Sequence, residues 1–597
     1  MTPSDTFFTV ANLDPDSLPA NAAGASSADI IVVSQDDLYG SRPLRGWLVS
    51  GGIVIVPGIP VVEAPTSVPA SAILGKAAPG LVPVIKLTGR PNGRTLVASG
   101  SMPLIYEQRV GLGKVIYLAF NPSDRALLRQ PAYDNLWRQI LLSACSGRTP
   151  VANGGSWFAN TWLQDLSRQG MVARPPKVYM VAAFLGAYIL LLVPINYFIL
   201  RRLRRKELAW ATIPALVIIF SLAAYVAGSV SREKKLMAAS SQVYEMIAGS
   251  GAARYHGNLS LFSPNRSRHT IEFPDPSALV SDTGFGGSAG SFPILQSLRA
   301  RENLVLPNAD LFMWSVRTLE FDGIRPVTGT VSANLTTDGT RVKGTISSSL
   351  PFPLKDCILY GDRFHKEIGD LLPGAVLSVD EPFKLVTKGA RWKPLARRYA
   401  SSFAWRIRFM ESSPDRLTLS GRAGWTDGQV YIEGAKVDVP FDMAYIHIYP
   451  RWVNGPDGKV TGSIAGATSD HSSYYGSPTG DTEKEPRSVR LETTFGLGRD
   501  STCYAQYRLP PLIALYGLSL VVGLDKPVAV SAQVYDNLAE KWVNIGSGNA
   551  TSVRYAVPNP KRMVGLGGIV QIKLKRAHDN GSPVQVNARL AFQGKVQ

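Results

Sequence analysis

Two long apolar stretches joined by a short basic linker constrain this chain more than any other feature. Val178–Leu200 runs for 23 residues without a charge, and Leu208–Gly228 for 21. A hydrocarbon layer about 30 Å thick needs roughly 20 apolar helical residues to be crossed, so each stretch is long enough. Backbone amides in lipid find no water to bond, which makes each stretch a helix. The linker carries Arg201, Arg202, Arg204, Arg205 and Lys206 against one acid, Glu207. Short loops rich in Lys and Arg stay on the cytoplasmic side. The pattern predicts a transmembrane hairpin over 177–229, with spans at 178–200 and 208–228 and its turn at the cytoplasmic face. Both large flanks then lie outside the cytoplasm, and the lipid bilayer is the first expected partner.

That orientation requires residues 1–176 to be exported. MTPSDTFFTVANLDPDS has no basic region followed by an apolar run, so it is not a signal peptide. Either an export segment lies upstream of Met1, which is the expectation here because inversion would put five cations on the wrong side, or the orientation is inverted. The full chain has 597 residues, room for about four domains. Its 63 Lys and Arg outnumber 45 Asp and Glu, and part of the excess flanks the spans at Arg174, Lys177, Arg232, Lys234 and Lys235. Such charge suits anionic headgroups or an envelope polymer. No basic stripe interleaves with aromatics, so nucleic acid is not an expected partner. Three cysteines, Cys145, Cys357 and Cys503, make neither a metal spacing nor a disulfide frame. No cofactor or metal is expected.

The rest of the chain divides by its periodicity. In 1–150, Asp29–Ser34 and Gly52–Val56 are short β-branched runs typical of buried parallel strands. Between them Ser41–Ser50 reads as a helix closed by Gly51-Gly52. Leu104–Arg109 and Lys114–Phe120 flank a hairpin turn at Gly111-Leu112-Gly113, and Tyr133–Cys145 is an amphipathic helix. Strand–helix–strand order predicts an open α/β sheet. Residues 151–176 read as a linker with one helix, Trp157–Arg168. Residues 230–254 read as a helical stalk (Arg232–Ile247). Two β-sandwiches are expected after it, over 255–424 and 425–597, the second jelly-roll-like. Thr337-Asp338-Gly339 marks a hairpin between Val327–Asn334 and Arg341–Ser349. Leu512–Leu524 is too short to span a bilayer and reads as core strand. Gly462–Pro486 reads as a loop.

Three stretches carry a resemblance. PLIYEQRVGLGKVIYLAFNPSD (103–124), VPINYFILRRLRRKELAWATIP (193–214), and Asp310–Arg317 with Ser348–Asp356 resemble bacterial membrane-anchored proteins of uncharacterised role. Those proteins have a class I glutamine-amidotransferase-like domain, a transmembrane hairpin and exported β-sandwich domains. The resemblance implies an amidotransferase-like fold for 1–150. Active amidotransferases of this class have a Cys on a Gly-rich elbow and a His later in the domain. This chain has no Cys before Cys145 and no His before His256. The resemblance therefore implies a domain without that chemistry, a pseudoenzyme.

The remaining candidates are sparse. Gly111-Leu112-Gly113-Lys114 is followed by a strand, whereas a phosphate-binding loop opens a helix, so a hairpin turn is the reading. Asp36 and Asp37 close the first strand, where open α/β sheets bind ligands. The alternative there is a helix cap. His447 alternates with apolar neighbours and reads as solvent-facing. Asp470-His471 lacks the nucleophile elbow of a hydrolase. Within the membrane, Pro194, Asn196 and Tyr197 stand out. Asn196 is expected to bond towards Thr212 and pack the helices, or alternatively to pack against a partner's helix. Three functions follow: a non-enzymatic membrane-anchored envelope protein that binds a partner or polymer, an accessory subunit of a membrane transporter, or an envelope hydrolase.

Overall fold

The computed structural model describes residues 28–58, 66–87, 93–145, 178–202, 209–230, 236–282, 298–299, 303–383, 416–424, 430–470, 489–490, 494–497, 502–576 and 584–596, apart from isolated positions 274, 276, 277, 314, 362, 363 and 466. It is largely β-sandwich-like, with two helices long and apolar enough to cross a membrane.

The first unit is a mixed five-stranded sheet. Its strands are β1 (Ile30–Val32), β2 (Ile53–Val56), β5 (Gly93–Ser99), β6 (Met102–Val110) and β7 (Gly113–Leu118), with a separate hairpin of β3 (Thr66–Pro69) and β4 (Leu81–Val84). The order is β1-β2-β7-β6-β5, with β1, β2 and β7 parallel. Helices α1 (Gln35–Gly40) and α2 (Arg42–Val49) connect β1 to β2, each started by a serine cap, Ser34 and Ser41. After α3 (Ala70–Leu74) and α4 (Arg125–Leu128), α5 (Tyr133–Cys145) buries Leu136 and Ile140. The β6–β7 turn is tight because Gly111 sits at φ +60, where a Cβ would meet the Val49 carbonyl oxygen at 2.6 Å.

The first apolar helix runs as α6 (Val178–Leu190), a π turn at Leu191–Ile195 containing Pro194, and α7 (Asn196–Arg202). Proline removes a backbone donor, and the wider turn accommodates it. The second is α8 (Ala209–Val230). Phe184 and Tyr188 pack on Phe220, with ring centroids 5.4 and 5.1 Å apart. Leu185, Ile189, Phe198, Ile218, Leu222 and Tyr225 point outward and exposed. In water such a surface is unfavourable; against acyl chains it costs nothing.

The stalk expected over 230–254 is replaced by a strand, β8 (Met237–Ile247), paired on both sides. Local pattern favoured a helix, but two neighbours' ladders decide the conformation. β8 is central in an eight-stranded sheet. Its partners are β9 (Ala252–Ser263), β11 (Leu279–Asp282), β13 (Ser315–Pro326), β16 (Leu354–Gly361), β17 (Phe364–Leu371), β19 (Leu417–Ala423) and β20 (Asp438–Ile448). The order is β11-β13-β9-β8-β20-β19-β16-β17. β10 (Ser267–Phe273) and β12 (Leu304–Leu311) lie in a second sheet, and β14 (Val331–Thr337), β15 (Arg341–Ser348) and β18 (Val376–Pro382) in a third. One core joins all three sheets. Because β20 belongs to this core, the division expected at 424/425 falls inside the unit.

The last unit packs two antiparallel sheets over its own core. Its main strands are β21 (Thr502–Arg508), β22 (Leu512–Leu524), β23 (Ala529–Asp536), β24 (Lys541–Asn549), β25 (Ile569–Arg576) and β26 (Val584–Val596). Leu512–Leu524 is a strand, paired with β26 along its length. The expected loop at 462–486 starts as strand, Val460–Ala465 and Ala467–Asp470, because those residues pair with β26 and β21.

Candidate functional site

Side chains alternate across a strand, so the eight-stranded sheet has two faces. One is apolar: Tyr244, Met246, Leu259, Phe321, Leu419 and Ile446 enter the shared core. The other is polar and equally dry. Ser260 and Thr318, then Asn258 and Glu320, then Glu245, Thr418, Tyr445 and His447 are all buried there. Register builds the site: Thr418 lies directly opposite His447, and Glu245 opposite Tyr445 one rung away.

The result is a hydroxyl–imidazole–carboxylate chain. His447 Nε2 is 2.5 Å from Glu245 Oε1, and Thr418 Oγ1 is 3.1 Å from His447 Nδ1. Burial pushes the His447 pKa down, aided by Arg416 and Arg109 and opposed by Glu245. Burial alone would raise Glu245. The hydrogen bond from His447, with the charges of Arg254 and Arg416, outweighs it and holds that carboxyl below its ordinary range. A neutral ring satisfies both: Nε2–H donates to Glu245 and Nδ1 accepts from the Thr418 hydroxyl. The order of groups is that of a catalytic triad, yet Thr418 is 2 % exposed and His447 0 %. A hydroxyl that meets no substrate is not a nucleophile, so this chain orders the sheet. The solvent-facing reading of His447 is thereby corrected. Alternation identifies two faces but does not say that the second one is wet. At the next rung His256 Nδ1 lies 2.7 Å from Asp322 Oδ1.

A second buried cluster joins the first unit to the last β unit. Glu107 on β6 accepts from Arg508 Nη2 on β21 at 2.5 Å, with Lys114 Nζ 4.0 Å away on the other oxygen. Burial would raise Glu107, but Lys114, Arg508 and Arg109 bring it from 4.5 to about 2. Lys114 also donates to the carbonyls of Ser143 and Ala144 at the end of α5. The Gly111-Leu112-Gly113 hairpin turn thus carries a lysine into an internal ion cluster, not towards a phosphate. Along the same seam Arg138 donates to Gln571 at 3.0 Å and stacks 4.5 Å over Tyr535. Asn135 donates to the Asn537 carbonyl at 3.1 Å. On the other side Arg109 lies 3.7 Å over the ring of Tyr449, and Arg254 reaches the Ser50 carbonyl.

The remaining candidates separate. Asp36 and Asp37 lie exposed in the first turn of α1, where the Asp37 carboxylate accepts from the Ser34 hydroxyl and the Asp37 N–H donates to it. That is a helix cap. Asn196 is buried, Tyr197 is exposed, and Pro194 sits in the π turn. Thr212 donates to Ala209 in its own helix rather than across to Asn196. Arg201 and Arg202 end α7, exposed; Arg204, Arg205 and Lys206 lie outside the described residues, as do Trp157–Arg168 and His471. Asp470 closes the short strand paired with β21. Among the described residues no group of three His, Cys, Asp or Glu is arranged to hold a metal. Glu107–Arg508 and Glu245–His447 escaped sequence reading because their partners are 401 and 202 positions apart.

Residues 330–440, from β14 into β20, match the family described as a domain of unknown function, DUF8725. No curated protein matches the chain. Among solved structures, a xylan-binding module of the CBM15 type is similar at 12 % identity, covering 24 % of this chain and 100 % of its own, with a TM-score of 0.16. A CBM36 module in complex with calcium and xylotriose has 13 % identity, covers 22 % of this chain and 99 % of its own, and has a TM-score of 0.12. The mu-homology domain of yeast delta-COP-I has 10 % identity, covers 36 % and 97 %, and has a TM-score of 0.18. At these scores the likenesses carry no argument about what this chain binds.

Proposed function

We propose that this chain is a non-enzymatic, membrane-anchored protein of the bacterial envelope, holding its α/β and β units outside the cytoplasm to bind a partner or an envelope polymer. The observation that carries this reading is the helix pair. Its outward side chains are apolar and exposed, and it is joined by a linker of five cations against one acid. In this reading the α/β unit is a degenerate amidotransferase-like module. Its strongest ion cluster, Glu107 with Arg508 and Lys114, is spent on holding neighbouring units together. A body of units interlocked by buried contacts on two spans suits presentation of a surface more than turnover. The accessory-subunit alternative uses the same anchor, with the exposed faces of α6 and α8 against a multi-span protein.

The native thiols supply the test. Cys357 and Cys503 are buried, and burial pushes the Cys357 thiol up to about 12. Cys145 is exposed at the end of α5. A membrane-impermeant maleimide added to spheroplasts should label the full chain at Cys145, with Cys145→Ser as the blank. Labelling confined to permeabilised cells would reverse the orientation. Co-sedimentation with insoluble cell-wall polymer then tests the polymer arm, and co-purification of a multi-span protein in mild detergent favours the transporter arm.

A further inference from the structure

The register of the eight-stranded sheet brings an exposed apolar turn to the end where the chain leaves its second span. β8 begins at Met237, and only residues 231–236 separate it from the end of α8 at Val230. Seven residue steps reach at most about 25 Å, so this end of the sheet stands close to the membrane surface if α8 spans it. Met237 pairs with Phe262 near the end of β9, and Ser263 pairs with Ser315 at the start of β13. The β12–β13 turn therefore lies two strands from Met237, about 10 Å at ordinary strand spacing. It presents Phe312 and Met313, which are 64 % and 62 % exposed.

Two adjacent large apolar side chains on a turn tip are not core residues that have slipped out. The turn is fixed by Ser315, whose hydroxyl donates to the Phe312 carbonyl at 2.8 Å. Around it stand Arg266 in the β9–β10 turn, 5.8 Å over the Phe312 ring, Arg268 and Arg317. Asp310 opposes them in part: its carboxylate accepts from Arg268 Nε at 2.8 Å, and its carbonyl accepts from Arg317 at 2.7 Å. An apolar tip ringed by arginines is suited to the bilayer interface, where rings and thioethers enter the acyl boundary and guanidinium groups meet phosphates.

Resting on the membrane-anchored reading, we propose that the Phe312-Met313 turn is a third membrane contact. It inserts into the outer leaflet beside α8, and Arg266 and Arg268 engage anionic lipid headgroups. The contact would fix the sheet at a set tilt to the membrane, which a two-helix anchor alone does not.

The test uses the full chain with Cys145→Ser, carrying one added cysteine and an environment-sensitive fluorophore. The vesicles contain phosphatidylglycerol and phosphatidylethanolamine with shallow or deep brominated acyl chains. The probe positions are Met313→Cys at the tip, Ile218→Cys on α8, and Leu538→Cys on the exposed surface of the last unit. The expected result is loss of emission at 313 with the shallow quencher, loss at 218 with the deep one, and none at 538. Quenching at 218 with none at 313 overturns the tip contact and leaves the anchor standing. That includes the case where 313 is shielded only in native membranes, which would assign the tip to a protein partner. No quenching at 218 overturns the anchor itself. Phe312→Ser with Met313→Ser, two exposed positions, should abolish shallow quenching of a probe on Asn265→Cys. Arg266→Gln with Arg268→Gln should remove any preference of the tip for anionic over zwitterionic vesicles. Equal tip quenching in both vesicle types with wild-type arginines would overturn the headgroup half of the proposal.

Discussion

Glu107 and Glu245 are both buried carboxylates on β-strands, and both are held ionised, but by different kinds of partner. Glu107 faces permanent cations, Arg508 and Lys114, across a boundary between two units. Glu245 faces an imidazole within one sheet, and that imidazole is itself pushed towards neutrality. The first pair is a full ion cluster, where loss of one partner strands a charge. The second is a charge-assisted hydrogen bond with its own pH limit. A buried carboxylate is tolerated in either setting, so burial alone does not reveal which role it has.

Breaking the first pair should have the largest effect. Arg508→Met leaves Glu107 buried beside a lysine 4.0 Å away and is expected to cost about 3–5 kcal/mol, the usual penalty for orphaning one member of a buried pair. Adding Glu107→Leu should recover only part of that, since it removes the orphaned carboxylate but leaves the buried Lys114 ammonium on the carbonyls of Ser143 and Ala144 without this counter-ion. Thermal unfolding of the full chain in detergent reads both. A harmless Arg508→Met would mean that the seam is not electrostatic, and the contrast between the two carboxylates would disappear.

Acidity should separate the pairs. The folded pKa of His447 lies below its ordinary 6.5. As pH falls through 6.5 the unfolded chain takes up a proton that the folded ring refuses, so stability drops from there downward. Glu107, brought from 4.5 to about 2, contributes stability that is full above 4.5 and is lost as pH falls from 4.5 towards 2. His447→Leu should cost about 1.5–3 kcal/mol at pH 8 through the lost bond to a charged group. It should also flatten the decline that begins near 6.5 while leaving the more acidic one. A variant that keeps the upper decline would show that another group titrates there.

These pairs also mark where the sequence stops being legible. The helix pair, α5, the turn at Thr337-Asp338-Gly339 and the strand at Leu512–Leu524 were readable because their signals are local: apolar length, 3.6-residue spacing, a turn that needs Gly. The local pattern over β8 points to helix, but its conformation is imposed by β9 and β20, the latter about 200 positions away. His447 was placed on the right kind of strand and in the wrong environment. Its neighbours announce alternation, while the dryness of its face depends on how the whole sheet is covered. Glu107 had no signal at all until Arg508 was brought beside it.

The smallest change sharpens the account of His447 itself. If the ring is neutral with its proton on Nε2, Nδ1 must accept from the Thr418 hydroxyl 3.1 Å away. Thr418→Val keeps the shape of the side chain and removes that donor, so it should cost about 1 kcal/mol, the net worth of one ordinary hydrogen bond. Thr418→Ser keeps the donor and should lose less. A nitrogen-15 spectrum of the imidazole would show a protonated Nε2 and an unprotonated Nδ1 at pH 8. The opposite pattern would put an unprotonated nitrogen 2.5 Å from a carboxylate oxygen, which would require Glu245 to hold the proton. Glu245 would then not be an ionised partner at all, and its likeness to Glu107 would end at burial.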